Sequence, residues 1–265
     1  MNKIRKFFAG VGSLIRWPFL INTVLEANLR WKSKFEKNYP GYRFRQIPFS
    51  GLMKGPLSLN EISLEEGSGL ITDLAMIKLL SSRFPGGKYL EIGTFRGESV
   101  IQTHGTMKKS YTLNLPLEDL KKMGMSEEYT RQIGSISRGK EGIIHLEGDS
   151  KSFDFEGLGE NFDLIFIDGD HHFDMVENDT RKTWPVLNKK TGIMVWHDVR
   201  FHSGELRFEV LSGIFSGLPA EAHKNLYFIT NTLSLVYWPA DPLASETFLH
   251  WKSDNCRYRI VINPA

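Results

Sequence analysis

Residues 162–173 read Phe-Asp-Leu-Ile-Phe-Ile-Asp-Gly-Asp-His-His-Phe, an apolar run that ends abruptly in polar residues. The apolar part, 164–167, lacks an alternation of polar and apolar side chains, which is typical of a strand buried on both faces of a parallel sheet. Ligands of open parallel sheets bind just beyond the carboxyl ends of such strands. We therefore expect the chemistry of this protein to lie around Asp168, Asp170 and His171.

A second strand of the same kind, 192–196, ends on His197 and Asp198 after a helical interval. If the two strands are neighbours, their tips bring six polar residues into one small volume: Asp168, Asp170, His171, His172, His197 and Asp198. Two adjacent carboxylates repel each other unless a cation lies between them. The pair Asp168 and Asp198 therefore favours a bound divalent cation, although protonation of His197 would compensate instead.

Another apolar strand, 88–92, leads into the glycine-bearing turn Gly-Thr-Phe-Arg-Gly at 93–97. Glycine tolerates positive φ angles and lets backbone N–H groups approach a ligand closely, and a helix that begins after the turn favours anionic groups. The spacing is similar to the dinucleotide fingerprint, with Phe95 in place of one glycine. On its own, the turn favours a nucleotide-like ligand no more than a purely structural role.

Strand and helix patterns alternate along the middle of the chain. Helices are predicted over 68–83 and 205–215, and strands over 88–92, 111–114, 142–146, 163–167 and 192–196, with a hairpin of two apolar runs around 231–232 and a last strand at 257–262. This alternation predicts an α/β fold with a doubly wound, Rossmann-like, mostly parallel sheet. The hairpin would supply an antiparallel edge strand.

The chain is predicted to have three regions. Residues 1–66 would form a basic amphipathic helix and an irregular covering segment, 67–238 the α/β domain, and 239–265 a C-terminal extension. The apolar pattern of the helix stops at Pro18, too early for a spanning helix, and a signal peptide would need a longer apolar core. We expect this arm to pack on the body or on a second subunit, as in a homo-oligomer, with contact to an anionic membrane surface as the alternative.

Composition limits the classes of function. The single Cys256 excludes an intramolecular disulfide and a multi-cysteine zinc site, so the cytoplasm is the default location. Residues 1–45 hold ten Lys and Arg against two acidic residues, a balance of +8, and the rest holds 23 basic and 29 acidic residues, a balance of −6. Because the basic excess is confined to the arm, nucleic acid is not expected as a substrate.

Several ordered motifs resemble those of the class I S-adenosylmethionine-dependent methyltransferases. They are Glu-Ile-Gly-Thr-Phe-Arg-Gly at 91–97, Tyr-Thr-Leu-Asn-Leu-Pro at 111–116, Gly-Asp-Ser at 148–150, the stretch 162–171, Asp179, and Trp-His-Asp at 196–198. The chain looks most like bacterial small-molecule O-methyltransferases related to catechol O-methyltransferase and to macrocin-type sugar O-methyltransferases. The resemblance covers 67–238 and implies a seven-stranded sheet whose last strand is antiparallel, in agreement with the hairpin.

The resemblance also implies a site for S-adenosylmethionine. The methionine and ribose part would be lined by Glu91, Gly93, Thr94, Gly97 and Ser99, and the adenine would lie near Asp149 and Ser150. Asn114 departs from the pattern, because the family usually has an acidic residue there that accepts hydrogen bonds from both ribose hydroxyls. An amide keeps one oxygen acceptor and substitutes a donor, so we expect cofactor affinity to be weaker by roughly 1–2 kcal/mol.

In metal-dependent members of the family, residues at two strand tips hold a divalent cation such as Mg²⁺, and a nearby histidine acts as the base. The matching positions are Asp168, His197 and Asp198 for the metal and His171 for the base. His197 is a softer ligand than the usual carboxylate or amide, so it either ligates a metal or only hydrogen-bonds nearby. The implied reaction transfers a methyl group to a hydroxyl of a small molecule, either a sugar or a phenol.

Two other classes of function compete with this interpretation. A non-catalytic S-adenosylmethionine-fold binding or scaffold protein is suggested by Asn114 and by the altered position of His197. A nicotinamide-dependent oxidoreductase shares the glycine turn but usually has an acidic residue about 20 residues further on, where this chain has Asn114.

Overall fold

The computed structural model describes residues 11–12, 15–16, 27–202, 204–239, 246–248 and 256–261. The strands of this part are β1 (Phe44–Ile47), β2 (Lys88–Ile92), β3 (Lys109–Asn114), β4 (Ile143–Glu147), β5 (Leu164–Ile167), β6 (Ile193–Trp196), β7 (Leu226–Ile229), β8 (Leu235–Tyr237) and β9 (Glu246–Phe248). The α-helices are α1 (Ala27–Asn38), α2 (Phe49–Leu52), α3 (Ile71–Ser81), α4 (Leu117–Lys122), α5 (Glu127–Gln132), α6 (Phe173–Thr183) and α7 (Phe208–Gly217). Three 3₁₀ helices span Val100–Thr103, Glu156–Leu158 and Ala220–Asn225.

All the strands belong to one sheet with the order β4-β3-β2-β5-β6-β8-β7-β1-β9. Neighbours from β4 to β6 are parallel, and β8 is antiparallel to both β6 and β7. The predicted Rossmann-like α/β fold class is therefore confirmed, including the hairpin. Two strands extend the predicted seven-stranded sheet to nine in the described part, since β1 pairs parallel with β7 and β9 pairs antiparallel with β1.

Three local predictions differ from the structure. Residues 31–66, predicted to be irregular, contain most of α1 and all of β1. The hydrophobic patterns of these two elements are weak, and α1 buries only Phe35. Residues 257–261 form no strand, and β9 lies earlier in the chain. The glycine turn leads into the 3₁₀ helix Val100–Thr103 rather than an α-helix, and β-branched side chains there disfavour a longer helix.

The predicted N-terminal amphipathic helix lies almost entirely outside the described residues. Residues 11–12 and 15–16 are helical, and nothing further tests the prediction. No helix within the described ranges is long and apolar enough to cross a membrane.

The sheet is covered on both faces, as the apolar run of β5 predicts. Ile165 and Ile167 pack in one cluster with residues of α6 and α7, whereas Leu164 and Phe166 pack in a second cluster with residues of α3. Alternate side chains of one buried strand therefore belong to two different cores. This burial fixes the tips of β2, β5 and β6 relative to one another.

The chain reverses its direction of progress across the sheet at β2. From β2 it continues to β3 and β4 on one side, and then crosses to β5 and β6 on the other side. Such a reversal leaves a crevice at the carboxyl ends of the central strands, where open α/β sheets bind their ligands.

Candidate functional site

A cavity of about 860 Å³ opens at the carboxyl ends of β2, β3, β5 and β6. Nine predicted site residues line it: Gly93, Thr94, Ser99, Asn114, Asp149, Ser150, Asp168, His171 and His197. Glu91, Gly97 and Asp198 are not part of its wall. The structure therefore brings the predicted cofactor residues and the predicted reactive residues to one place.

The glycine turn after β2 is shaped by close approaches of the backbone. Gly93 has φ +95°, and a Cβ atom there would clash with the carbonyl of Asp168 at the tip of β5. Phe95 also has positive φ, +39°, which is uncommon for a bulky residue, and its ring stacks on Tyr129 with 5.1 Å between centroids. The glycine is required for the tips of β2 and β5 to meet, and the strained phenylalanine is held by its stacking partner.

Glu91 supports the turn from behind. It is fully buried, and its carboxyl accepts hydrogen bonds from Tyr89 Oη at 2.6 Å and Thr112 Oγ1 at 3.1 Å. Burial raises the pKa of Glu91 to about 8, although the hydroxyls of Tyr89, Ser99 and Thr112 oppose this rise. The predicted contact of Glu91 with a cofactor stays a prediction, since this carboxyl lies behind the cavity wall.

The tips of β3 and β4 form the other half of the cavity. Asn114 donates through Nδ2 to the carbonyl of Leu115 at 3.2 Å. Asp149 accepts a hydrogen bond from the backbone N–H of Lys151 at 2.9 Å, which orders the loop after β4. Ser150 is buried in the same wall. These positions agree with a ligand that extends across β3 and β4.

The histidine at the tip of β6 lies between acidic side chains. His197 Nδ1 is 3.0 Å from Asp168 Oδ1, and its Nε2 is 3.7 Å from Asp73 Oδ1. Burial would lower the pKa of His197, but the carboxylates of Asp168 and Asp73 raise it well above the ordinary value. The two carboxylates therefore favour the charged form of His197.

Asp198 belongs to a second group of hydrogen-bonded polar side chains, next to the group around His197. Its Oδ2 accepts hydrogen bonds from His171 Nε2 at 3.0 Å and Arg207 Nη1 at 3.2 Å. Burial would raise the pKa of Asp198, but the hydrogen bond from His171 and the charges of His197 and Arg207 hold it at about 2. A permanently ionised carboxylate thus orients His171, which lines the cavity.

The three predicted metal ligands meet, but they do not fit a metal site. Within the described residues, no group of three or more His, Cys, Asp or Glu side chains is placed to hold a metal ion. The two nitrogens of His197 face Asp168 and Asp73, and Asp198 is engaged by His171 and Arg207. Metal binding by Asp168, His197 and Asp198 is therefore not supported.

A loop covers the glycine turn, and two buried charges hold it there. Glu98 accepts hydrogen bonds from Ser63 N and Ser63 Oγ, both at 2.6 Å, and from Ser68 Oγ at 3.1 Å. Arg96 donates to the carbonyl of Glu66 at 2.8 Å and to Ser68 Oγ at 3.1 Å. We call residues 60–69 the covering segment; two of its glycines, at 67 and 69, line the cavity.

Sequence reasoning missed several residues of this site. Asp73, Glu98 and Arg207 lie outside the quoted motifs, and Arg96 lies within the glycine turn without a role assigned to it from the sequence. Asp179, which the sequence marks only as one of the motifs of the resemblance, has its side chain buried in the cavity wall.

Comparison with known proteins identifies the class of fold. Residues 90–199 match the family model of a methyltransferase domain. The match agrees with the strand order and with the position of the cavity, next to the strand at which that order reverses. Residues 90–199 are therefore similar to a methyltransferase domain, and they lie within a Rossmann-like α/β sheet.

Solved structures similar to this chain are distant from it. TrmN from Thermus thermophilus is 14% identical with a TM-score of 0.38, and the match covers 56% of this chain and 41% of that chain. SAM-bound CalS10, an amino pentose methyltransferase from Micromonospora echinaspora, is 12% identical with a TM-score of 0.38, covering 56% of this chain and 62% of that chain. This chain covers less than two thirds of the length of TrmN and of CalS10. No curated protein is significantly similar.

Proposed function

We propose that this protein is an S-adenosylmethionine-dependent O-methyltransferase that methylates a hydroxyl group of a small molecule. The observation that carries the proposal is the pair His171 and Asp198, a histidine oriented by an ionised carboxylate in the wall of the cavity that also contains the glycine turn. A hydroxyl is a poor nucleophile until a base accepts its proton, so a positioned histidine favours oxygen as the acceptor atom.

The residues of the cavity suit the cofactor. Gly93, Thr94 and Ser99 would hold its methionine part, Asn114 its ribose, and Asp149 with Ser150 its adenine. A buried carboxylate oxygen of Asp179 has no hydrogen-bond partner and lies in the same wall, which is expected where a ligand completes the hydrogen bonds. When bound, S-adenosylmethionine supplies an electrophilic methyl group on a sulfonium.

The residues of this chain then supply orientation and proton transfer. His171 donates its Nε2–H to Asp198, so the neutral imidazole carries its lone pair on Nδ1 and can accept the proton of the acceptor hydroxyl there. Asp198 stabilises the imidazolium that forms, and Arg207 holds Asp198 in place. Holding the hydroxyl in line with the methyl group supplies much of the remaining acceleration.

Two measurements test the proposal. Calorimetry with S-adenosylhomocysteine should detect binding, and formation of S-adenosylhomocysteine from S-adenosylmethionine should depend on an acceptor from a panel of phenols and sugars. Turnover should persist in excess chelator, because Asp168, His197 and Asp198 are already paired within the protein. Absence of heat and of a thermal shift at millimolar S-adenosylhomocysteine would eliminate the proposal.

A further inference from the structure

A second cavity, of about 330 Å³, adjoins the first at the first turn of α3. Leu70 lines the second cavity, whereas Gly69 and Asp73 line the first. Asp73 accepts a hydrogen bond at 3.1 Å from the backbone N–H of Leu233, which lines the second cavity, and lies 3.7 Å from His197 in the first. One carboxylate therefore contacts the walls of both cavities.

The loop after β6, residues 199–207, contributes to both cavities. It is closed by backbone hydrogen bonds from Phe201 to the carbonyl of Glu205 at 2.8 Å and from Arg207 to the carbonyl of Val199 at 2.9 Å. Its last residue, Arg207, lines the first cavity. Four of its residues line the second cavity: Arg200, Phe201, His202 and Gly204.

Arg200 places a buried positive charge in the wall of the second cavity. It is 4% exposed, and its Nε and Nη2 donate to the carbonyl of Gly204 at 3.3 and 3.1 Å. Burial lowers the pKa of Arg200 to about 10, and the charge of Asp73 opposes this change. Because burying a charge costs free energy, this cation favours a negatively charged ligand beside it.

The rest of the second wall also favours an anion. None of the described residues that line this cavity is acidic. The N-cap residue of α3, Leu70, makes no side-chain hydrogen bond to the N–H groups of the first turn, where the helix dipole is positive. The acid of that turn, Asp73, is hydrogen-bonded to Leu233 and Ser234. A guanidinium binds carboxylates and phosphates through paired N–H groups, so the second cavity suits an oxyanion.

The first cavity, in contrast, repels an oxyanion near the reactive residues. Asp168, Asp170 and Glu209 line it together with His171. Like charges repel most strongly where water is excluded. An acidic group on a molecule that is held at His171 is therefore directed away from these carboxylates, towards the second cavity.

We propose that the second cavity binds an oxyanion, a carboxylate or a phosphate, and that this group belongs to the methyl acceptor. The acceptor is then an acidic hydroxy compound, with its hydroxyl at His171 and its acidic group at Arg200. The oxyanion site rests on the second cavity alone, whereas its assignment to the acceptor rests on the proposed function.

Inorganic phosphate tests the oxyanion site without any acceptor. In NMR spectra of the isotopically labelled wild type, phosphate should shift the amide signals of Gly204 and Thr232, which line the second cavity, relative to chloride at equal ionic strength. Arg200→Gln should weaken this binding at least about tenfold, because it removes the charged donor. Absence of these shifts in the wild type at high millimolar phosphate would overturn the inference, whether or not Arg200→Gln folds.

Arg83→Gln is the matched control, because Arg83 lies just beyond the C-terminal end of α3 and lines neither cavity. It should keep the wild-type affinity for phosphate. An equal loss of affinity in Arg83→Gln and Arg200→Gln would overturn the assignment of the anion to Arg200.

Matched acceptors test whether the oxyanion belongs to the methyl acceptor. The pairs are meta-hydroxybenzoate with meta-hydroxybenzamide, and glucuronate with glucuronamide. The wild type should have a kcat/KM at least about tenfold higher for the acidic member, chiefly through KM, because the acidic group binds away from the reacting atoms. Arg200→Gln should reduce this preference to about twofold or less, and inorganic phosphate should compete with the acidic member.

The outcomes separate this inference from the proposed function. Equal kcat/KM values within the pairs, with phosphate bound at the second cavity, would overturn the assignment to the acceptor and identify a site for free phosphate. Absence of S-adenosylhomocysteine binding would eliminate the proposed function, and the phosphate titration would still decide whether the oxyanion site exists.

Discussion

At the scale of single residues, the site contains two adjacent groups of ion-paired side chains that have different roles. His197 lies between Asp168 and Asp73, whereas His171 has one carboxylate partner and lines the cavity. Both carboxylate neighbours of His197 favour its charged form and raise its pKa, which makes it a weaker proton acceptor. His171 is therefore the histidine of this pair that is suited to proton transfer.

Substitution of His171 should remove the base. We expect His171→Ala to lower turnover by about 10²–10⁴-fold, with partial recovery at higher pH, because the acceptor hydroxyl then loses its proton to solvent. Asp198→Asn should also lower turnover, since the amide no longer stabilises the imidazolium. Steady-state rates with the identified acceptor measure both effects.

His104→Ala is the matched control, because the ring of His104 bonds the carbonyl of Glu141 away from the cavity wall. Its turnover should equal that of the wild type. A His171→Ala enzyme with unchanged turnover would exclude a role for this histidine as the base.

Glu91 should make the free energy of unfolding depend on pH. The folded state raises the pKa of Glu91 from 4.5 to about 8, so it binds the proton more tightly than the unfolded chain does. This stabilisation is present in full below about pH 4.5 and is lost as the pH rises through 8. The free energy of unfolding of the wild type, relative to Glu91→Gln, should decline by roughly 3–5 kcal/mol across this range.

Urea unfolding of both proteins between pH 5 and pH 9 measures the difference. Glutamine is a suitable replacement because the hydroxyls of Tyr89 and Thr112 can rotate to accept from its amide. A constant difference between the two proteins at all pH values would show that Glu91 is ionised throughout.

The candidate site could be predicted from the sequence only where residues sit at strand ends. His171, His197 and Asp198 follow apolar runs, and parallel strands bring their carboxyl ends to one edge. Asp73 lies in the first turn of α3, and it reaches His197 across 124 positions of the chain. No local pattern encodes such a distance, so the sequence offers protonation of His197 only as an alternative to metal binding.

At the scale of elements, the covering segment is held by side chains rather than by regular structure. Residues 60–69 contain no helix or strand, and their contacts with Arg96 and Glu98 are hydrogen bonds to buried charges. Hydrogen bonds to charged groups contribute about 1.5–3 kcal/mol each. These hydrogen bonds therefore hold the segment over the glycine turn without a core of its own.

Loosening the covering segment should accelerate cofactor release. The double variant Ser63→Ala and Ser68→Ala removes hydroxyl bonds to Glu98 and Arg96 while keeping the ion pair between those two residues. We expect the dissociation rate of S-adenosylhomocysteine to rise by about 10–100-fold, because the closed state loses several hydrogen bonds to charged groups. Stopped-flow displacement measures this rate.

Lys140→Ala is the control on the same segment, since it breaks only the exposed ion pair with Glu61. Its dissociation rate should stay within about twofold of the wild type. Equal rates in the double variant and the wild type would show that the segment does not limit release.

The central strands could be predicted from the sequence because each is a short apolar run bounded by turn residues. The strand predicted at 88–92 agrees with β2 at both ends. β1 and α1 could not be predicted this way, because neither has a strong hydrophobic periodicity. Only half of β1 is buried, and α1 buries one side chain. Their structure depends on partners, namely β7 for the strand and α7 for the helix.

At the scale of the whole molecule, α1 ties the N-terminal side of the chain to the core. Phe35 is 3% exposed and packs edge-on against Phe215 of α7, with 4.9 Å between ring centroids. Asn28 donates to the carbonyl of Leu206 at 2.9 Å and accepts from the N–H of Phe208 at 3.0 Å. The helix is thus part of the fold.

We propose that residues 1–26 act in association with a second copy of this chain. The predicted apolar stripe would need a partner surface, and one of its members, Ile15, is 76% exposed. Pro18 limits the stripe to a length that is short for stable anchoring in a membrane. A second subunit is therefore the favoured partner over an anionic lipid surface.

Two truncations separate association from folding. Removal of residues 1–26 should lower the mass measured by light scattering to that of a monomer and leave the midpoint of thermal unfolding unchanged. Removal of residues 1–38 should in addition lower the free energy of unfolding by at least roughly 3–5 kcal/mol, because it takes Phe35 out of the core. An unchanged mass without residues 1–26, together with loss of binding to anionic liposomes, would contradict association and support contact with a membrane. Equal stabilities of the two truncated proteins would contradict the structural role of α1.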